Sequence, residues 1–182
     1  MKVAFKLLTR WVSLLLPAAL LASEALAGSA VQWPHGWERH SVPMPTSGSG
    51  EHFDGSNQLA LKMDRKGQLE AALNLSILKI KGGDMPNLDD QTTSMIATIR
   101  DGYAAKGLQA ACDTSQRTTL GDIQARQTRC HVRKDNTEVL TQEIVVALGV
   151  HTAQSLSYTA QPEKFQIYKA EFAAMRDSLR PD

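Results

Sequence analysis

LEAALNLSILKI, residues 69–80, is the stretch that decides the fold, because apolar and polar side chains alternate along it. Its apolar members share one side of an extended chain: Leu69, Ala71, Leu73, Leu75 and Ile77. Strand side chains point alternately to the two faces of a sheet, so this period of two predicts a half-buried strand. A strand with one apolar and one polar side is typical of an antiparallel sheet.

The segments around this strand extend the same architecture. Further strands are predicted at residues 38–42, 58–63, 108–119, 123–133, 137–148 and 151–160. Two segments have helical spacing instead: residues 87–106, and a last helix that begins at Pro162. The order β-β-β-α-β-β-β-β-α, with short connections, predicts an α+β fold in which an antiparallel sheet is packed by two long helices.

Length and composition limit the classes of protein that fit. The chain has 182 residues, 42% of them hydrophobic, which is enough for the core of one ordinary domain, and we place that domain at residues 28–182. The formal net charge of +1 argues against a nucleic-acid-binding protein, which usually carries a basic excess. Two cysteines are too few for a disulfide-rich mini-protein or an all-cysteine zinc site.

The first 27 residues have the organisation of a secretory signal peptide. Three basic residues precede a short apolar stretch, residues 11–22, and Ala25-Leu26-Ala27 supplies small residues for cleavage after Ala27. An uncleaved membrane anchor is the alternative, but the apolar stretch is shorter than the roughly 20 residues that span a bilayer. We therefore expect a periplasmic or secreted protein whose mature chain has no membrane span.

Export changes the interpretation of the two cysteines, since thiols in an oxidising compartment are usually bridged. Cys112 and Cys130 lie nine residues before and after Gly121, at the centre of a predicted hairpin, so they would face each other across it. A structural disulfide here would contribute roughly 3 kcal/mol. A redox-active pair is the less favoured alternative, because catalytic dithiols usually have C-x-x-C spacing at the start of a helix.

Motifs that would indicate catalysis are lacking in the sequence. There is no G-x-S-x-G elbow, and the five histidines match no zinc-binding spacing. Asp89 and Asp90 form a carboxylate pair, but acids at the start of a helix interact favourably with its dipole, which accounts for them. We therefore predict a protein that is not an enzyme and that uses no cofactor or metal.

Two groups of residues are candidates for binding. Five basic residues on the cysteine hairpin could form a patch for an anionic partner: Arg117, Arg126, Arg129, His131 and Arg133. A solvated strand face with neighbouring acids is the favoured alternative for this patch. Trp33 and Trp37 are the other candidates, either at an interface or, as we favour, as a lid on one end of the core.

The ends of the mature chain resemble those of a known fold group. The Pro-x-Gly-Trp opener (Pro34, Gly36, Trp37) resembles the start of PsbP-like, including DcrB-like, proteins, and the closing segment 172–179 is similar to their end. More specifically, the chain is similar to a family of small secreted pseudomonad proteins of unknown function. The resemblance implies a PsbP-like α/β/α sandwich and accessory or binding proteins, and it supplies no catalytic residue.

The expected function follows from compartment and resemblance together. We expect an exported, non-enzymatic protein that binds another protein, not yet identified, in the envelope or outside the cell. A protein released into the medium would meet host proteins, so a role in virulence is part of this expectation. The alternatives are a periplasmic small-ligand-binding protein with an apolar pocket between sheet and helix, and an unrecognised hydrolase.

Overall fold

The computed structural model describes residues 31–44, 54–80 and 87–179, so the predicted signal peptide lies outside the described residues. The described segments form eight strands and two helices. Their bounds are β1 Glu38–Ser41, β2 Gly55–Met63, β3 Leu69–Lys79, α1 Leu88–Ala104, β4 Gln109–Cys112, β5 Gln116–Leu120, β6 Ile123–Lys134, β7 Thr137–Leu148, β8 Thr152–Ala160 and α2 Pro162–Ser178. The strands join in one antiparallel sheet of order β1-β2-β3-β8-β7-β6-β4, with β5 also paired to β6.

The predicted strand at residues 108–119 is wrong in one respect, because it is two strands, β4 and β5, separated by residues 113–115. The predicted centre of the hairpin, Gly121, also differs by half a residue from the observed centre. Gly121 and Asp122 together form the turn, since Leu120 pairs with Ile123. Between β5 and β4 the chain contains one residue more than the stretch of β6 that lies opposite. This extra residue, a bulge, shifts the register and brings Cys112 opposite Cys130. The bulge thus produces the cysteine pairing that was predicted from a different centre.

One face of the sheet packs against α2 around an aromatic stack. Tyr158 of β8 lies between Phe165 and Phe172 of the helix, with ring centroids 4.8 and 5.6 Å away. The Tyr158 hydroxyl donates a hydrogen bond of 2.8 Å to the backbone carbonyl of Phe165. Burial raises the pKa of Tyr158. All three rings are 2% exposed or less, so the space between the sheet and α2 is filled by side chains.

The opposite face of the sheet packs against α1. Leu88, Met95 and Ile99 of the helix contact a cluster formed by Cys130, Ile144 and Val146. Val145 and Ala147, which alternate with these residues along β7, belong instead to the cluster on the α2 side. The two helices therefore lie on opposite faces.

The predicted fold class is confirmed in its coarser form, as a mostly antiparallel sheet with two helices. The sheet dominates the described structure, and each 17-residue helix covers only part of one face, because the path of hydrogen-bonded strands from β1 to β4 is seven strands wide. The expectation of a sheet packed by two long helices therefore overestimated how much of the sheet the helices cover.

Candidate functional site: an arginine cleft beside the first helix

The five predicted patch residues do not share one surface. Arg117 and Arg126 are directly opposed on β5 and β6, and Arg126 also pairs with Val146, on the face that carries α1. Arg129 lies an odd number of residues along β6 from Arg126 and is opposed to Glu143. Its side chain therefore points to the other face of the sheet, which carries α2. The predicted patch is therefore two separate groups of residues, because strand side chains alternate between faces.

Arg129 belongs to an internal network under α2. Its Nη2 and Nε atoms lie 2.7 and 3.1 Å from Oε2 of Glu143, whose side chain is 2% exposed. Gln127 donates to the other carboxylate oxygen at 2.8 Å, and the Arg129 guanidinium stacks 5.2 Å from the centre of the Phe165 ring. These contacts commit Arg129 to holding a buried carboxylate.

His131, further along the same face, is also engaged within the chain. Its Nδ1 atom lies 2.8 Å from Oε1 of Glu138, which also accepts a 2.6 Å hydrogen bond from the Thr141 hydroxyl. Burial acts to raise the pKa of Glu138, but the hydrogen bonds from Thr141 and His131 outweigh it and the pKa is lowered. Arg133, which is exposed, adds a smaller electrostatic contribution in the same direction. The basic residues at this end of β6 therefore have an acidic neighbour, Glu138 of the adjacent strand β7.

Arg117 and Arg126 remain, and they border a cleft. The cleft has a volume of about 500 Å³ and lies between the start of α1 and the β5–β6 ladder. We call it the arginine cleft; its polar lining consists of Asn87, Asp89, Arg117, Thr118, Gln124 and Arg126. Arg117 is exposed at this cleft, and the Arg126 side chain is 19% exposed.

Among the described residues, the charges of the arginine cleft do not balance. Asp89 accepts a bidentate pair from Arg126, with Nε to Oδ1 at 2.5 Å and Nη2 to Oδ2 at 2.9 Å. This hydrogen bonding is the main reason that the pKa of Asp89 lies below its usual value, and the charge of Arg117 adds to it. Arg117 makes no ion pair with any of the described residues. Like charges directly opposed across two strands are unfavourable, and the one described carboxylate at the cleft, Asp89, pairs with Arg126 and not with Arg117.

The guanidinium geometry defines what this cleft can bind. An arginine presents a planar set of donors that matches a carboxylate or phosphate in a bidentate manner. The cleft therefore offers an exposed donor set on Arg117 beside one on Arg126 that already holds a carboxylate. Asp89 was not predicted as part of a site. It lies 37 residues from Arg126 in sequence, and its position at a helix start already had a local explanation.

The two tryptophans have different surroundings. Trp37 is 7% exposed and packs edge-on against Tyr168 of α2, with ring centroids 5.7 Å apart. Its indole N–H donates a hydrogen bond to Glu171. Trp33 is half-buried against the core, and the Arg39 guanidinium lies 5.2 Å from its ring centre. Both contacts tie the segment before β1 to the α2 side of the sheet, as a core lid would.

Cys112 and Cys130 form a disulfide between β4 and β6, with Cα atoms 3.9 Å apart. Asp113 N–H donates to the carbonyl of Arg129, the bond that flanks a non-hydrogen-bonded pair, where antiparallel strands come closest. Cys130 is fully buried, and both cysteines pack in the cluster beneath α1. The bridge therefore joins the edge strand β4 to the sheet that supports this helix.

Neither a metal site nor a membrane helix is present in the described ranges. Within residues 31–44, 54–80 and 87–179, no group of three or more His, Cys, Asp or Glu side chains could hold a metal ion. In the same ranges, neither helix has the length and apolar character needed to cross a bilayer.

Known structures show which class of fold this is. The solution structure of cyanobacterial PsbP (CyanoP) from Synechocystis sp. PCC 6803 matches with a TM-score of 0.60 and 12% identity, over 90% of this chain and 98% of that one. This similarity confirms the predicted PsbP-like fold. The crystal structure of LpqN, involved in cell envelope biogenesis of Mycobacterium tuberculosis, gives a TM-score of 0.45 and 15% identity, over 87% and 88% of the two chains.

Sequence comparison then identifies the family. Residues 28–181 match the Domain of unknown function (DUF4946), and the chain belongs to this family. No curated protein matches the chain by sequence.

Proposed function

We propose that this protein is an exported, non-enzymatic binding protein that recognises an acidic segment of another protein at the arginine cleft. The observation that carries this proposal is the directly opposed pair Arg117 and Arg126, which faces an open cleft where Asp89 is the one carboxylate among the described lining residues. Because opposed like charges are unfavourable to the fold, a binding role gives a reason for their position.

Export is supported by the disulfide and by the sequence. A bridged pair such as Cys112–Cys130 persists in oxidising compartments and is rare in the cytosol. The signal-like organisation of residues 1–27 points to the same compartments, the periplasm or the exterior. The finer expectation, that the chain is one of a group of small secreted pseudomonad proteins with DcrB-like relatives, is part of this proposal.

An acidic protein segment fits the cleft better than the other binding modes. The overall charge of +1 gives little attraction for nucleic acid, and the group that already occupies Arg126 is a protein carboxylate. Strand addition at the sheet edges is less suitable, since β1 and β4 have four residues each. The alternative of an apolar pocket between sheet and helix has less support, because Tyr158 and Phe172 fill the interface with α2.

Site-specific crosslinking in the native setting tests this proposal. A photoreactive phenylalanine analogue is placed at Thr118, inside the cleft, and as a control at Ile167, which is 59% exposed on α2. Each variant is exposed to envelope extract and to host-cell surfaces. We expect one partner with an acidic segment to crosslink from position 118 only.

Charge-matched variants then decide whether the arginines are responsible. Arg117→Gln should abolish the crosslink, whereas Arg133→Gln, which removes an exposed arginine outside the cleft, should preserve it. Added salt should weaken the crosslink, since exposed charges are screened. Crosslinking that is equal from both positions, or that survives Arg117→Gln, would reject the arginine cleft as the binding site.

A further inference from the structure

The Asp89–Arg126 pair has the geometry of a bound ligand rather than of a core contact. Two nearly parallel donors of Arg126 meet both oxygens of the Asp89 carboxylate, at 2.5 and 2.9 Å. The arginine is largely buried, with 19% of its side chain exposed, whereas the Asp89 side chain is 61% exposed. The cationic half of the pair is therefore fixed by the sheet, and the anionic half lies at the surface.

We propose that Asp89 is an internal competitor for the carboxylate of the acidic partner. Binding would exchange the Asp89–Arg126 pair for a pair between Arg126 and a partner carboxylate, while Arg117 takes a second acidic group. This inference rests on the proposed function. It adds that the displaced group is the Asp89 carboxylate and that a carboxylate of the partner displaces it.

The helix start can release this carboxylate without unfolding. The side chain of Asn87 caps α1 by accepting from the backbone N–H of Asp89 at 2.8 Å and of Asp90 at 3.4 Å. The Asp89 carboxylate takes no part in this cap, so its movement leaves the first turn intact. Because the Asp89 half of the pair is exposed to solvent, the pair contributes little to stability, and a partner with several carboxylates can displace Asp89.

Neighbouring Asp90 supplies a matched control. It lies in the same first turn of α1 and is exposed, but it makes no ion pair with any of the described residues. Asp90→Asn therefore removes the same charge from the same helix start without freeing Arg126. A general electrostatic effect would appear in both variants, whereas loss of a competitor would appear only in Asp89→Asn.

The experiment measures the binding of a hexaglutamate peptide to the purified protein by isothermal titration calorimetry, with hexaglutamine as the uncharged reference. Asp89→Asn should bind hexaglutamate about two to five times more tightly than the wild type, the factor that corresponds to loss of an exposed ion pair. Asp90→Asn should stay close to the wild type. In an Arg126→Gln background the gain from Asp89→Asn should disappear.

The outcomes separate this inference from the function it rests on. If the wild type binds hexaglutamate and Asp89→Asn gives no gain, or the same gain as Asp90→Asn, the competitor is rejected and the binding site stands. If neither the wild type nor Asp89→Asn prefers hexaglutamate over hexaglutamine, both proposals fail. Melting curves of all variants, which should coincide within a few degrees, show that the differences arise from binding.

Discussion

Replacing Arg129 by alanine should destabilise the fold, because Glu143 would be left in the core without its charged partner. The Glu143 side chain is 2% exposed, and among the described residues it would keep the hydrogen bond from Gln127 alone. Breaking a buried ion pair costs roughly 3–5 kcal/mol, and solvent screening of an arginine that is 32% exposed lowers this, so we expect about 2–3 kcal/mol. For a domain of this size the loss corresponds to a fall in melting temperature of roughly 5–10 °C.

Urea unfolding followed by circular dichroism measures this loss. Arg133→Ala is the matched control, since it removes an exposed arginine from the same strand and should change the free energy of unfolding by less than about 0.5 kcal/mol. Adding Glu143→Gln to Arg129→Ala should recover part of the loss, because a neutral amide is less costly to bury than a carboxylate. If Arg129→Ala and Arg133→Ala unfold at the same urea concentration, the ion pair does not stabilise the core as argued.

Three further predictions concern contacts elsewhere in the fold. Replacing both cysteines by serine should cost about 3 kcal/mol, measured by urea unfolding; two thiols that react with label in the exported, unreduced protein would contradict the bridge. Tyr158→Phe should cost about 1 kcal/mol, because its hydroxyl donates to the Phe165 carbonyl; an unchanged melting temperature would show that this bond is not needed. Hydrogen bonds from Lys164 and Tyr168 lower the pKa of Glu70 below its usual value of 4.5. The ionised Glu70 therefore stabilises the fold above that pH, and this stabilisation is lost as the pH falls through the lowered pKa. Glu70→Gln should therefore flatten the acid dependence of stability, and an unchanged slope below about pH 4.5 would refute this.

Periodicity predicted the elements of this fold because burial follows it closely. Along β3 the residues Leu69, Ala71, Leu73 and Leu75 are all buried, as their alternation requires. Helical spacing has the same local basis, and in the structure Met95 and Phe172 lie on the sides of their helices that pack against the sheet. Such signals are local, so a single sequence carries them without any knowledge of the tertiary structure.

The contacts of the charged residues could not be predicted in this way, because their partners are distant in sequence. Arg129 and His131 lie two residues apart on β6 and so share a face, but nothing local in the sequence indicates that Glu143 is buried beside Arg129. Counting the basic residues of the hairpin sequence therefore overestimated how many of them are available to bind a partner. The acids that neutralise most of it lie on the adjacent strand and at the start of α1.

The turn between β5 and β6 decides whether the arginine cleft exists. A hairpin centred on Gly121 would place Arg117 opposite Ala125, and a one-residue change of register moves side chains to the other face. The observed two-residue turn, in which Gly121 has a φ of 59°, pairs Arg117 with Arg126 instead. The bulge before β5 then restores the register that the disulfide needs. The arginine pair and the disulfide thus require different registers of one hairpin, and the irregularity between them allows both.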